Sequence, residues 1–262
     1  METTQSGMKK LSLDNLKVLI IVSCTLLVCV PFLAFICMFA HEGGHGIIIV
    51  PAILLNGEIP EVPSEGMQEN PFRNFPLGIL SLFFAFPLGI IANGALLYLS
   101  YKNARINRNY KSKKELLLLI IFISFCILNF GAILTNFFGT DFSFIIKDAL
   151  KLPTDEQWFR SVLRIITYLG FPVVLAAKKE FEIDKILIIS LTTYLANLIV
   201  VEVLVPPLSP ILMANFWWLF IIGLPVLTGT MGILILNYRL AAKEKGSKTE
   251  ESTPSQSTTL NF

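Results

Sequence analysis

The chain has two histidines, and both fall in one short string, His41-Glu42-Gly43-Gly44-His45. This is the pattern H-E-x-x-H. On a helix, positions i and i+4 share a face, so both imidazoles can reach one Zn²⁺ at about 2.0–2.1 Å. Glu42 points away from the two ligands along the helix, where it can take a proton from zinc-bound water. Zinc lowers the pKa of that water toward neutrality and so provides a nucleophile in a dry site. Gly43, Gly44 and Gly46 are poor helix formers, but they let another backbone, or a substrate chain, come close to the metal.

The elements that must position this motif are apolar. Of 262 residues, 54% are hydrophobic and 15% charged, against about 25% charged in a soluble globular protein. That excludes a disordered chain, a disulfide-built secreted module and most soluble enzyme folds. A net charge of +2 gives no reason to expect nucleic-acid binding. The expected fold is all-α, a polytopic membrane helix bundle of about six transmembrane helices. Stretches that meet the roughly 20-residue requirement for a span run approximately over Val18–Ala40, Pro76–Tyr101, Leu116–Phe138, Val162–Ala177, Ile186–Val205 and Phe216–Tyr238. Residues 1–17 are expected as a cytoplasmic tail, 18–238 as the membrane domain, and 239–262 as a disordered tail. The segment Ile47–Leu55 is β-branched, too short to span and interrupted by Pro51. It is expected as a re-entrant strand or loop, or as a connector lying on the bilayer.

Lys and Arg set the orientation. Lys9, Lys10 and Lys17 precede the first span, Lys102, Arg105, Arg108, Lys111, Lys113 and Lys114 follow the second, and Arg239, Lys243, Lys245 and Lys248 follow the last. Residues 56–75 carry four glutamates and one arginine. Every second connection is therefore basic, which places both termini in the cytoplasm of a cell-membrane protein and the histidines toward the extracytoplasmic side. Cys24, Cys29, Cys37 and Cys126 all lie in spans without a CxxC spacing, so neither a disulfide framework nor a zinc ribbon is expected.

A catalytic zinc needs three protein ligands and an open position. With no further histidine, the third is expected to be Asp, Glu or Cys, and depth points to an acid. Asp141 lies about 25 residues along the third span, level with the histidines to within about one turn at 1.5 Å per residue. Glu202 lies about 10–15 Å nearer the cytoplasm and is the alternative, either as ligand or as a group that orients an imidazole. Asn136 and Asn93 are amides in apolar spans and want hydrogen-bond partners. Each is a candidate contact to substrate or to the oxyanion, and Asn93 also reads as a helix-packing position.

The string His-Glu-Gly-Gly-His-Gly at the end of a first hydrophobic helix, with a later membrane-embedded Asp, resembles the site-2 protease family of intramembrane zinc metalloproteases over roughly 18–146. The resemblance implies zinc held by His41 and His45, Glu42 as general base, Asp141 as third ligand, and cleavage of peptide bonds within or beside membranes. The chain departs from the family's distal motif, which has a Pro in an Asn-containing turn and a Gly after the Asp. Here that Pro is missing and Phe142 follows Asp141.

The expected function is therefore a zinc-dependent endopeptidase acting on a membrane-protein substrate in the lipid bilayer. The alternatives are a non-proteolytic protein using the same ligands (a divalent-metal transporter, a sensor or an inactive scaffold) and a lipid or prenyl-protein hydrolase.

Overall fold

The computed structural model describes residues 13–56, 78–110, 112–140, 157–178, 180–214 and 216–251. They form helices α1 (Leu13–Asn56), α2 (Gly78–Asn107), α3 (Lys113–Thr135), α4 (Gln157–Ile165), α5 (Phe171–Ala177), α6 (Ile183–Ile199), α7 (Val205–Ala214) and α8 (Phe216–Glu251). Three π-helical turns, Asn136–Thr140, Ile166–Gly170 and Val200–Leu204, continue α3, join α4 to α5 and join α6 to α7. No strand occurs among the described residues. An apolar bilayer leaves backbone groups no water to bond, and helices satisfy them internally. Five stretches are long and apolar enough to cross a membrane: Ile20–Leu55, Lys113–Phe138, Gln157–Ala177, Ile183–Leu208 and Trp217–Glu244. The segment expected as the second span is α2. The acidic connection expected over 56–75 lies outside the described residues, apart from the end of α1.

Helix α1 corrects two expectations. It does not end at Ala40, so His41–His45 stands inside a helix about 66 Å long at 1.5 Å per residue, not at its end. The segment Ile47–Leu55 is neither re-entrant nor a separate connector, because α1 runs through Pro51 to Asn56. Packing explains the continuation. Ile49, Ala52 and Ile53, spaced i, i+3, i+4, form one buried face against Ala85, Trp217 and Phe220, whereas Leu54 and Leu55 point outward. A helical face with that much to bury outweighs the one bond that Pro51 removes. At the other end of the chain, α8 passes Tyr238 and reaches Glu251, so 239–251 is helix where a disordered tail is expected. Ala241, Ala242, Lys243, Glu244 and Lys245 are strong helix formers.

Helices α1, α2, α3, α6 and α8 enclose the main core, built on Leu26, Val30, Leu96, Ile123, Ile127 and Ile186. Asparagine ties α2 to α8: Asn103 donates to the Leu234 carbonyl (3.0 Å), and Asn237 donates to Asn103 Oδ1 (2.7 Å). Beside them Lys102 lies over the rings of Tyr98 and Tyr238, so the basic ends of α2 and α8 are neighbours. α3 opens with a capping box, in which Ser112 Oγ accepts from the Glu115 amide and Glu115 accepts from the Ser112 amide.

The glycines of the motif are the points of closest helix crossing. A methyl group on Gly43 would strike the Gly223 backbone of α8, on Gly44 the Leu88 carbonyl of α2, and on Gly46 the Phe220 carbonyl of α8. Gly223 is reciprocally blocked by the Phe39 carbonyl and by Gly43. An added Cβ at Gly229, by contrast, meets open space. Ala normally favours a helix over Gly by about 0.5–1 kcal/mol, so Gly229→Ala should hold or raise the melting temperature in detergent. Gly223→Ala should lower it by several degrees, because overpacking costs about 1–3 kcal/mol. An unchanged Gly223→Ala melting temperature would contradict the close crossing.

Candidate metal centre

His41 and His45 are both buried, with their Nε2 atoms 3.1 Å apart and their rings nearly perpendicular (86°). Two nitrogens bound to one tetrahedral zinc stand roughly 3.3 Å apart, so the pair already holds the bite of a shared ion. The other nitrogen of each ring fixes the tautomer. His45 Nδ1–H donates to the Ala85 carbonyl (2.8 Å), which can only accept. His41 Nδ1–H donates to Asn93 Oδ1 (2.7 Å).

The orientation of Asn93 follows from its own partners. Its Nδ2 donates to the Cys37 carbonyl (3.3 Å) and to Asn129 Oδ1 (3.0 Å), so its oxygen must face His41. Asn129 Nδ2 in turn donates to the Phe125 carbonyl (2.8 Å). Asn93, held by Asn129 and the α3 backbone, and the Ala85 carbonyl each accept from an Nδ1, so a neutral ring keeps its lone pair on Nε2; Asn136 Nδ2 stands 3.2 Å from the same His41 nitrogen. A histidine that binds a metal through one nitrogen usually donates the other N–H to a carbonyl or carboxylate, and both rings here do so. At 3.1 Å the two Nε2 atoms are joined by a proton or by a shared cation between them. The donor set fits zinc.

Gly89 completes the seat. A Cβ at that position would lie 2.5 Å from a His45 ring carbon and 2.7 Å from a His41 ring carbon. The backbone of α2 therefore lies flat against both imidazoles, and no side chain is tolerated there.

Glu42 is half-buried and, with His41, lines a cavity of about 570 Å³ between α1, α3, α4, α6 and α7. All three π turns contribute to its wall, through Asn136, through Thr167 and Tyr168, and through Val200 and Val201. π turns inside helices are frequent at functional sites, and here three from separate parts of the chain meet one cavity.

The expected site residues are distributed as follows. His41, Glu42 and His45 are together. Asn136 approaches His41 Nδ1 at 3.2 Å and also lines the cavity, so it has the position of a substrate contact. Asn93 does not have that position: it is wholly buried and its amide is committed to His41, Cys37 and Asn129. Asp141 lies outside the described residues, one position beyond the π turn that begins at Asn136. Glu202 is not at the imidazoles. It is exposed and borders an outer recess with Gln157, Arg160 and Arg164, because the π turn Val200–Leu204 directs Val200 rather than Glu202 inward. Among the described residues, no three His, Cys, Asp or Glu side chains gather around one point.

Asn129, Gly89 and the Ala85 carbonyl are the site residues that sequence reasoning misses. The only hint of them is a polar or small residue in an otherwise apolar helix. No family model, curated protein or solved structure matches the chain.

Asn93→Leu and Gly89→Ala should each weaken zinc binding about 10- to 100-fold, the usual effect of losing a group that orients a ligand. Asn129→Leu, one bond further out, should lose less. Competition with a zinc chelator in detergent measures this, and wild-type affinity in Asn93→Leu would contradict the relay.

Proposed function

We propose that the chain is a zinc-dependent endopeptidase of the cell membrane, a divergent relative of the site-2 protease family, that hydrolyses peptide bonds of membrane proteins within or beside the bilayer. The observation that carries this reading is the pair of tautomer-fixed imidazoles presenting two Nε2 atoms 3.1 Å apart beside a glutamate on a cavity wall. His41 and His45 hold the metal, and Asp141 is the proposed third ligand. It follows closely on Asn136, whose amide reaches His41. A zinc ion bound there supplies polarisation of a carbonyl and a water acidic near neutral pH.

The chain's own residues do the rest. Glu42 takes the proton of the attacking water and hands it to the leaving amine. Asn136 offers an amide to the scissile carbonyl. Apolar residues of α1 and α3 line part of the cavity, and excluding water beside them strengthens electrostatic contacts inside. A substrate helix hides its carbonyls in its own hydrogen bonds, so the peptide must unwind to be cut.

The site end of α2 at Gly89 is about 21 Å from its basic end at Asn103. With basic ends cytoplasmic, the site belongs toward the opposite face and both termini are cytoplasmic.

Zinc content and cleavage of an unwound transmembrane peptide, measured on the purified chain, test the proposal. Wild type should carry one zinc per chain and cut. Glu42→Gln should keep the zinc and lose cleavage by 10²-fold or more, since general-base catalysis contributes about 10²–10⁴. His45→Ala and Asp141→Ala should lose both. Zinc retained by Asp141→Ala would reassign the third ligand, and unchanged cleavage in Glu42→Gln would remove the peptidase reading in favour of metal binding or transport.

A further inference from the structure

One wall of the cavity is made by α4 and the π turn after it. It carries a ladder at i, i+4 and i+8: Arg160, Arg164 and Tyr168. Helix α4 is short and strongly two-sided: Leu163 is buried while both arginines are exposed. The arginines stand at the start of a stretch apolar enough to cross a membrane, where an unmatched charge is costly and marks function by default. Among the described residues the ion pairs are Arg105 with Glu180 and Lys185 with Glu182. Neither Arg160 nor Arg164 takes part in one, although Glu202 borders the same outer recess.

Tyr168 is deeper and buried. Asn197 Nδ2 donates to its hydroxyl oxygen (3.0 Å), which leaves the Tyr168 proton available to a bound acceptor. Two guanidinium groups and a hydroxyl proton make a set of donors with no acceptor of its own. Guanidinium groups match carboxylates in shape and charge, through paired N–H···O bonds.

We propose that this ladder binds a carboxylate of the peptide substrate and so holds the chain while a bond near Glu42 is cut. The proposal rests on the peptidase reading and names its substrate class: a peptide with a free C-terminus or an acidic side chain close to the scissile bond. A peptide fits better than a lipid phosphate. The walls also carry the amides of Asn136 and Asn197, which pair with peptide groups.

Equilibrium binding tests this on the full chain in maltoside micelles, with Glu42→Gln as background to prevent turnover. The probes are a dansylated leucine–alanine hexapeptide with a free C-terminal carboxylate, its C-terminal amide, and amidated versions with glutamate or glutamine at an internal position. At least one acid should bind about 10-fold more tightly than its neutral counterpart, and the two pairs distinguish terminus from side chain. Arg160→Gln with Arg164→Gln should bring the ratio to about one without weakening the amide, which also shows that the variant is folded. The double lysine variant should keep part of the preference.

Equal binding of acid and neutral peptides in both pairs would overturn the proposal. So would displacement of the peptides by phosphatidic acid with no acid preference, which would make the ladder a lipid site. Binding is read without cleavage and zinc is measured separately. An acid preference in a chain that holds no zinc would therefore sink the peptidase reading and leave the carboxylate site standing.

Discussion

Two buried imidazole nitrogens 3.1 Å apart set the terms for everything around them. Buried nitrogens of this kind need a proton or a cation between them to be satisfied. The protein does not let the rings escape by changing tautomer. The Ala85 carbonyl and Asn93 Oδ1 accept the Nδ1 protons, and Asn93 is itself prevented from flipping by the Cys37 carbonyl and Asn129. These bonds hold both rings in place, and preorganisation of this kind lowers the cost of binding a ligand between them.

Such a centre needs neighbouring backbones closer than ordinary side chains allow. The glycines of α1 and its neighbours satisfy that need. Gly43 and Gly223 bring α1 and α8 together, Gly44 meets α2, and Gly89 lets α2 lie against both rings. Small residues at crossings are a common way for helices to associate in lipid, where the hydrophobic effect between helices is absent. The same residues would weaken an isolated helix. Here their closeness is what lets the Ala85 carbonyl and Asn93 reach the histidines.

His41, Glu42 and His45 were legible in the sequence because their spacing encodes the geometry within one helix, with no tertiary information needed. Most span positions were legible for a similar reason, since hydropathy over 20 residues is a local quantity. The stretch Ile47–Leu55 was not. Its β-branched residues and Pro51 fit a strand or loop as well as a helix, and the decision came from Trp217 and Phe220, far away in the chain. Asn93 was recognised as an amide wanting a partner, but whether that partner was a ring, a substrate or another helix depended on which residues faced it. The outward face of Glu202 was not legible, because it lies within the π turn Val200–Leu204, which breaks the regular helical spacing. Arg160 lay just outside the fourth span as read from hydropathy, so its alignment with Arg164 and Tyr168 on one cavity wall emerged only from the fold.

The most direct test of the central claim is zinc K-edge X-ray absorption of the purified chain in detergent. The account predicts one zinc per chain with two imidazole nitrogens at about 2.0–2.1 Å and the remaining donors light atoms at similar distance. A chain that takes up no zinc under these conditions, leaving only a proton shared between the rings, would contradict it. A spectrum lacking imidazole scattering, or dominated by sulfur at about 2.3 Å, would contradict it equally.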